Sequence, residues 1–339
     1  MPVMSERPVR ARTPLPGISS RAWEHPADAG ALVALRKLRG FDTVLKALSG
    51  LINERAVRLQ YLASGIRVDD RQFVRLHRLL GEVGATLDAP ELPEMYVVAN
   101  PFINASTIGM NKPIIVLHSA LVDLLDEEEL RFLIAHELGH ALSGHAVYHS
   151  LLRRLIVLSG VLGSIPLGGT GLRVIVAALM EWQRKSELSA DRAGLLATQD
   201  PQVAFRYHMK TASGGHLDDL DTTSFFAQGT EYDESGDLRE SLLRLLLVEN
   251  QTHPFAVVRA RELRRWVDSG AYPAILAGAY PKRDDDAAAG LSDAAREAAQ
   301  SYSESFRNSG DALGKFVHDT AGLAGSVKGW FDETFGRGS

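Results

Sequence analysis

At 339 residues, with 45% hydrophobic and 23% charged side chains, the chain has a globular composition and can bury a sizeable core, as one large domain or two small ones. A formal net charge of −5 leaves no basic footprint for nucleic acid. The absence of cysteine excludes disulfides, thiolate-bound zinc and regulation through thiol oxidation.

Residues 1–20 contain Arg and Pro, lack an apolar core and offer no secretory signal. Residues 1–25 therefore read as a disordered leader and the compartment as cytoplasmic. Residues 28–39, 41–51, 55–64 and 70–83 have apolar positions every three or four residues and read as helices broken near Gly40, Gly50 and Gly65. Leu76, Leu79 and Leu80 are candidate core residues. Residues 26–90 thus form a helical N-terminal region that could cover an active-site face and shows no chemistry of its own.

Residues 94–118 read as a small sheet. Residues 95–98 and 113–117 are strand-like, and 103–108 form a third strand ended by Gly109. Ala105 and Ser106 are small enough to let another backbone approach that strand. A plain hairpin with no ligand is an equal alternative.

The chemistry begins at His136-Glu137-Leu138-Gly139-His140. Acidic residues 126–129 suit the first turn of a helix. Leu130, Leu133, Ile134, Leu138 and Leu142 follow at helical spacing. Residues four apart share a helix face, so both imidazoles can reach one metal ion, while Glu137 is turned about 100° further round. This is the layout of a zinc hydrolase with Glu137 as general base. His145 sits one residue short of a metzincin third ligand, and Gly144 one residue past that pattern's glycine. His145 is instead expected behind the ligands, with the helix running on from 141 to about 163.

A breaker cluster at 164–171 follows, then a second helical pattern over 172–197. Leu155 to Leu172 is uncharged, but each arm is too short for a full membrane crossing. The hairpin packs within the protein or dips its tip into a membrane surface. The second arm carries Glu187, 47 residues after His140, and Asp191 on the same helical face. Alone these would be a solvated face. Beside the first motif they become a carboxylate ligand and a second carboxylate that orients a histidine. With a turn near Pro166, the arms to His140 and Glu187 are roughly 39 and 32 Å long at helical rise. An antiparallel pair then brings Glu187 back to the level of His140.

After a helix over 203–210 comes a polar loop, readable as a lid or a solvated insertion, and an apolar helix over 238–248. His253-Pro254 suits a helix start as well as a functional role. Residues 284–290 look like a linker, and the tail carries a helical apolar stripe from Leu313 to Phe331. That stripe suits the enzyme's own surface, a partner or a membrane.

HELGH at 136–140, SELSAD at 186–191, His253-Pro254 with Arg259, and the strand at 113–121 together resemble the zinc endopeptidase family that includes HtpX and the type I CAAX prenyl protease. The likeness spans roughly residues 90–270. It implies an α+β, mostly helical, zincin-like metallopeptidase with a small mixed sheet, an active-site helix and a long helical hairpin. It also implies a gluzincin site. One Zn2+ per chain would be held by His136, His140 and Glu187, with Glu137 as catalytic base and Asp191 behind the ligands. Arg259 would brace that region and His253 would approach the transition state.

The expected domains are a peptidase domain over 91–282 and a linker with a helical tail over 283–339. The expected substrate is extended or unfolded polypeptide, bound at Ala105 and Ser106. Nucleic acid is not a partner, and peripheral membrane contact could run through 155–180 or 311–335. The alternative is a chaperone, an adaptor or a membrane-associated scaffold that keeps the zinc fold. A prenyl-peptide protease fits less well, because the relatives with that activity have a large membrane-embedded chamber.

Overall fold

The computed structural model describes residues 11–37, 41, 45, 54–162, 169–234 and 255–307. His253, the expected helices at 41–51 and 238–248, and the tail stripe fall largely or wholly outside these residues. The chain is α+β and mostly helical. In order it forms α1 (Pro26–Lys37), α2 (Glu54–Ser64), β1 (Ile66–Arg67), α3 (Val74–Thr86), β2 (Glu94–Val98), β3 (Ala105–Ile108), β4 (Ile114–His118) and α4 (Ser119–Leu124). There follow α5 (Glu127–Leu142), α6 (His145–Leu162), α7 (Gly169–Thr198), α8 (Pro201–Ser213), α9 (Thr222–Glu234), α10 (Ala256–Asp268), α11 (Ala271–Leu276) and α12 (Asp293–Arg307).

The sheet has the order β1-β2-β4-β3. Strand β2 runs parallel to β4, and the two outer strands are antiparallel to their neighbours. Side chains alternate between its faces. Met95, Val97, Ala105, Ile115 and Leu117 enter the main core, whereas Tyr96, Ile108, Ile114 and Val116 pack beneath Val57 and Tyr61 of α2. Strand β3, expected over 103–108, covers Ala105–Ile108 and is the last in the order. Strand β1 is too short for period-2 patterning to reveal it.

Helix α5 starts with a capping box. Asp126 accepts from the Glu129 amide at 2.9 Å, and Glu129 accepts from the Asp126 amide at 2.9 Å. The helix does not continue beyond 142. Gly144 has φ +71°, a left-handed conformation that costs glycine little, and α6 restarts at His145. The expected unbroken helix from 141 is therefore two helices with a bend at Ser143-Gly144.

Helices α6 and α7 pack side by side, with Tyr148 against Trp182 and His149 against Ser186. Helices α5 and α7 approach still more closely. A Cβ on Gly139 would lie 2.7 Å from the Ala193 Cβ, and one on Gly194 would lie 2.8 Å from the Phe132 ring. Only the missing side chains permit this spacing. Among the described residues no helix is long and apolar enough to cross a membrane.

Three further expectations change. Residues 11–25, expected to be disordered, are pinned by Leu15, Ile18 and Trp23, each 1% exposed, because their apolar side chains fill the main core. The polar stretch after α8 contains α9, whose Phe225 and Phe226 pack with Phe205 and Ala260. Residues 284–290 are largely a short 3-10 helix, with Asp286 accepting from the Ser19 hydroxyl at 2.6 Å.

Candidate metal centre

The i,i+4 spacing puts His136 and His140 on one face of α5, and Glu187 and Asp191 on one face of α7. The close crossing at Gly139 sets these faces against each other. The His136 Nε2 lies 3.4 Å and the His140 Nε2 3.3 Å from the Glu187 carboxylate. One donor atom from each of the three residues falls within 4.8 Å of the others, and all three residues are buried. Two imidazole nitrogens and a carboxylate oxygen are a donor set suited to a zinc ion with room for a further ligand.

Behind this group, His136 Nδ1 lies 3.0 Å from Asp191 Oδ1. Arg259, from α10, donates to both Asp191 oxygens at 2.7 and 2.6 Å and approaches Glu187 at 3.3 Å. The planar guanidinium thus serves both carboxylates. Burial opposes the Asp191 charge, but Arg259 holds its carboxyl well below the usual range. Burial pushes the His136 imidazole down, and the Asp191 and Glu187 carboxylates reverse this, carrying it up to about 9. A cation bound there displaces that proton. The His140 imidazole is pushed down to about 4, chiefly by burial.

Glu137 is held by the sheet beside the three donors. Its carboxylate accepts from the Thr107 hydroxyl at 2.7 Å, and that hydroxyl also lies 2.9 Å from the Glu137 carbonyl. Burial raises the pKa of the Glu137 carboxyl, opposed by His136 and Thr107. A raised carboxyl pKa suits a group that must take and return protons near neutrality. Ala105, Ser106 and Thr107 of the edge strand line a groove that also holds Glu137, His140 and Glu187.

Six of the residues expected at a site (His136, Glu137, His140, Glu187, Asp191 and Arg259) therefore converge, and Ala105 and Ser106 border the same groove. His253 lies outside the described residues. Sequence reading missed Thr107, which only the alternation of β3 could have pointed inward beside Ala105. It also missed His149, whose Nε2 lies 3.1 Å from the Ser186 hydroxyl, and Asp28, for which no local signal exists. His145 stands behind His140, as expected, because the bend at Gly144 turns it back.

The family model for peptidase family M48 matches residues 70–267. The plastoglobule-localized metallopeptidase 48 of Arabidopsis thaliana chloroplasts is 33% identical over 265 residues, covering 77% of this chain and 76% of that protein. Protease HtpX of Xanthomonas euvesicatoria is 25% identical over 275 residues, covering 71% of this chain and 88% of that protein. A Protease HtpX homolog of Helicobacter pylori is 36% identical over 95 residues, covering 27% of this chain and 28% of that protein. No solved structure matches. The matched span contains both helix faces that meet at the donor group, so likeness and geometry agree: the chain belongs to peptidase family M48 and is a metalloprotease.

Proposed function

We propose that the chain is a zinc endopeptidase that cleaves extended or unfolded polypeptides, with His136, His140 and Glu187 as the zinc ligands. The observation that carries this reading is the meeting of those three donors within 4.8 Å beside a buried carboxylate, Glu137, that stands outside the group. When bound, zinc supplies a Lewis acid that polarises water and the scissile carbonyl. Glu137 takes the proton from the attacking water and returns it to the leaving amine. Thr107 holds the Glu137 carboxylate at the groove floor. Asp191 fixes the proton of His136 on Nδ1, leaving Nε2 free to ligate, and Arg259 balances the two buried acids. His253 is assigned the role of donor to the oxyanion, the kind of contact whose loss costs about 100-fold or more in rate.

Substrate is read as an added strand along β3, with Ala105 and Ser106 giving it room. Peptides N-methylated at successive amides test this: cleavage should fall at alternate positions, and equal cleavage of all of them removes the strand reading. Peripheral membrane contact, for a chain otherwise in the cytoplasm, is assigned to 155–180 and 311–335. Vesicle co-sedimentation with and without residues 308–339 tests the tail's share, and equal sedimentation excludes it.

The deciding experiment compares wild type with Glu137→Gln on an unfolded peptide library, with zinc content measured in both. Wild type should cut, and Glu137→Gln should bind zinc yet lose about 100- to 10,000-fold in rate. Full activity in that variant overturns the mechanism. No cleavage by zinc-loaded wild type would point to a chaperone or adaptor that keeps the fold.

A further inference from the structure

The two histidines of the donor group are supported differently. His136 meets Asp191 directly, whereas among the described residues the group at the back of His140 is another imidazole. Its Nδ1 lies 3.0 Å from His145 Nδ1, and His145 Nε2 lies 3.0 Å from Asp28 Oδ2. The Ser189 hydroxyl donates to the same Asp28 oxygen at 2.6 Å. Asp28, His140, His145 and Ser189 are all at most 3% exposed.

Two ring nitrogens share a hydrogen bond only when one carries the proton. His140 Nε2 faces Glu187 and must keep its lone pair to bind a cation. The His140 proton therefore sits on Nδ1 and is donated to His145 Nδ1. That leaves the His145 proton on Nε2, pointing at Asp28. Asp28 is the terminal acceptor of a relay that sets the tautomer and ring plane of His140.

We propose that Asp28 is a positioning residue of the metal site, acting through His145 on His140. The proposal rests on reading His136, His140 and Glu187 as metal ligands. Asp28 stands on α1, outside the span 70–267 that matches the family model. Its segment is fastened to the back of the site. The Trp23 indole donates to the Ser143 hydroxyl at 3.0 Å, the His25 amide donates to the Ser189 hydroxyl at 2.8 Å, and Arg36 donates to the Tyr148 hydroxyl at 2.7 Å. Gly30 lets α12 close over the far side of α1, since a Cβ there would lie 2.5 Å from that of Ala298. The N-terminal segment is thereby part of the metal site's support.

The test uses the full chain, zinc dissociation constants from chelator competition, and the visible absorption spectrum of the cobalt-loaded protein. Thermal melting without metal checks the fold. Asp28→Leu removes the acceptor while keeping the branching of the side chain, with bulkier methyls in place of the oxygens. It should weaken zinc binding about 10- to 100-fold and change the cobalt spectrum. Asp28→Asn keeps an acceptor oxygen where Oδ2 stands and should restore most of the affinity and the wild-type spectrum. That rescue separates orientation of His140 from mere packing.

His145→Phe, which cuts the relay in its middle, should match Asp28→Leu, and it decides the matter if Asp28→Leu does not fold. Wild-type affinity and spectrum in either folded variant overturn the proposal. Failure of wild type itself to take up zinc overturns it together with the metal-site reading, and is told apart because no substitution is involved.

Discussion

The two sides of the donor group form a natural comparison. On the His136 side the support is one step deep and ionic: Asp191 touches the imidazole at 3.0 Å and Arg259 clamps Asp191 through two hydrogen bonds. On the His140 side it is two steps deep, and the hydrogen-bond partners of Asp28 are an imidazole and a hydroxyl rather than a guanidinium. The first arrangement lies within the span shared with family M48, and the second reaches out of it into α1. The lesson is that one chemical requirement, a fixed imidazole tautomer, is met by direct pairing on one face and, in the proposed relay, by a segment outside the matched span on the other.

The largest effect that separates the two sides should come from Asp191→Ala. It leaves the Arg259 cation buried without its main partner, a loss of about 3–5 kcal/mol of stability, and also frees His136. Thermal unfolding should show a fall well beyond that of Asp28→Leu. Equal losses would mean that both carboxylates are only packing elements and the comparison is empty.

Next is Gly139→Ala. The added methyl meets the Ala193 Cβ at 2.7 Å, so α5 and α7 must separate. Overpacking of this kind costs about 1–3 kcal/mol. Because the same crossing sets Glu187 against both histidines, zinc affinity should fall together with stability. A variant that loses stability but binds zinc like wild type would show that the crossing does not set the donor distances.

The smallest effect is expected at Thr107→Val, which touches neither side. It removes the hydroxyl that holds Glu137 while keeping the side chain's shape. Zinc affinity should stay unchanged, and kcat should fall about tenfold, the equivalent of about 1.4 kcal/mol. A change in zinc affinity there would mean that Glu137 is not independent of the donor group.

Much of the site was legible before the fold was known. The spacing His136/His140 and Glu187/Asp191 encodes helix faces, and the acidic turn before α5 encodes its start. Strand-like runs in 94–118 encode a small sheet, and the fold alone puts β3 at one end of it. Three other features escape local patterning. The bend at Ser143-Gly144 leaves no break in the apolar pattern, which continues across it. Residues 11–25 read as disordered because three anchoring side chains without periodicity give no local pattern. Helix α9 was missed because its apolar content is concentrated at Phe225 and Phe226, whose partners lie on α8 and α10.

The sequence by itself determined the donor chemistry and the helical faces that carry it, because both are written in spacings of four residues, which one helical turn turns into proximity. Asp191, His145 and, by resemblance, Arg259 are expected behind those donors from the sequence; tertiary structure alone decided the contacts they make and added Thr107 and Asp28. Thr107 reaches Glu137 across 30 residues, Arg259 reaches Asp191 across 68, and Asp28 reaches Ser189 across 161. Separations of that size leave no periodic trace, since they are set by how closely α5, α7 and α1 pack, and that closeness depends on side chains as small as the hydrogen of Gly139.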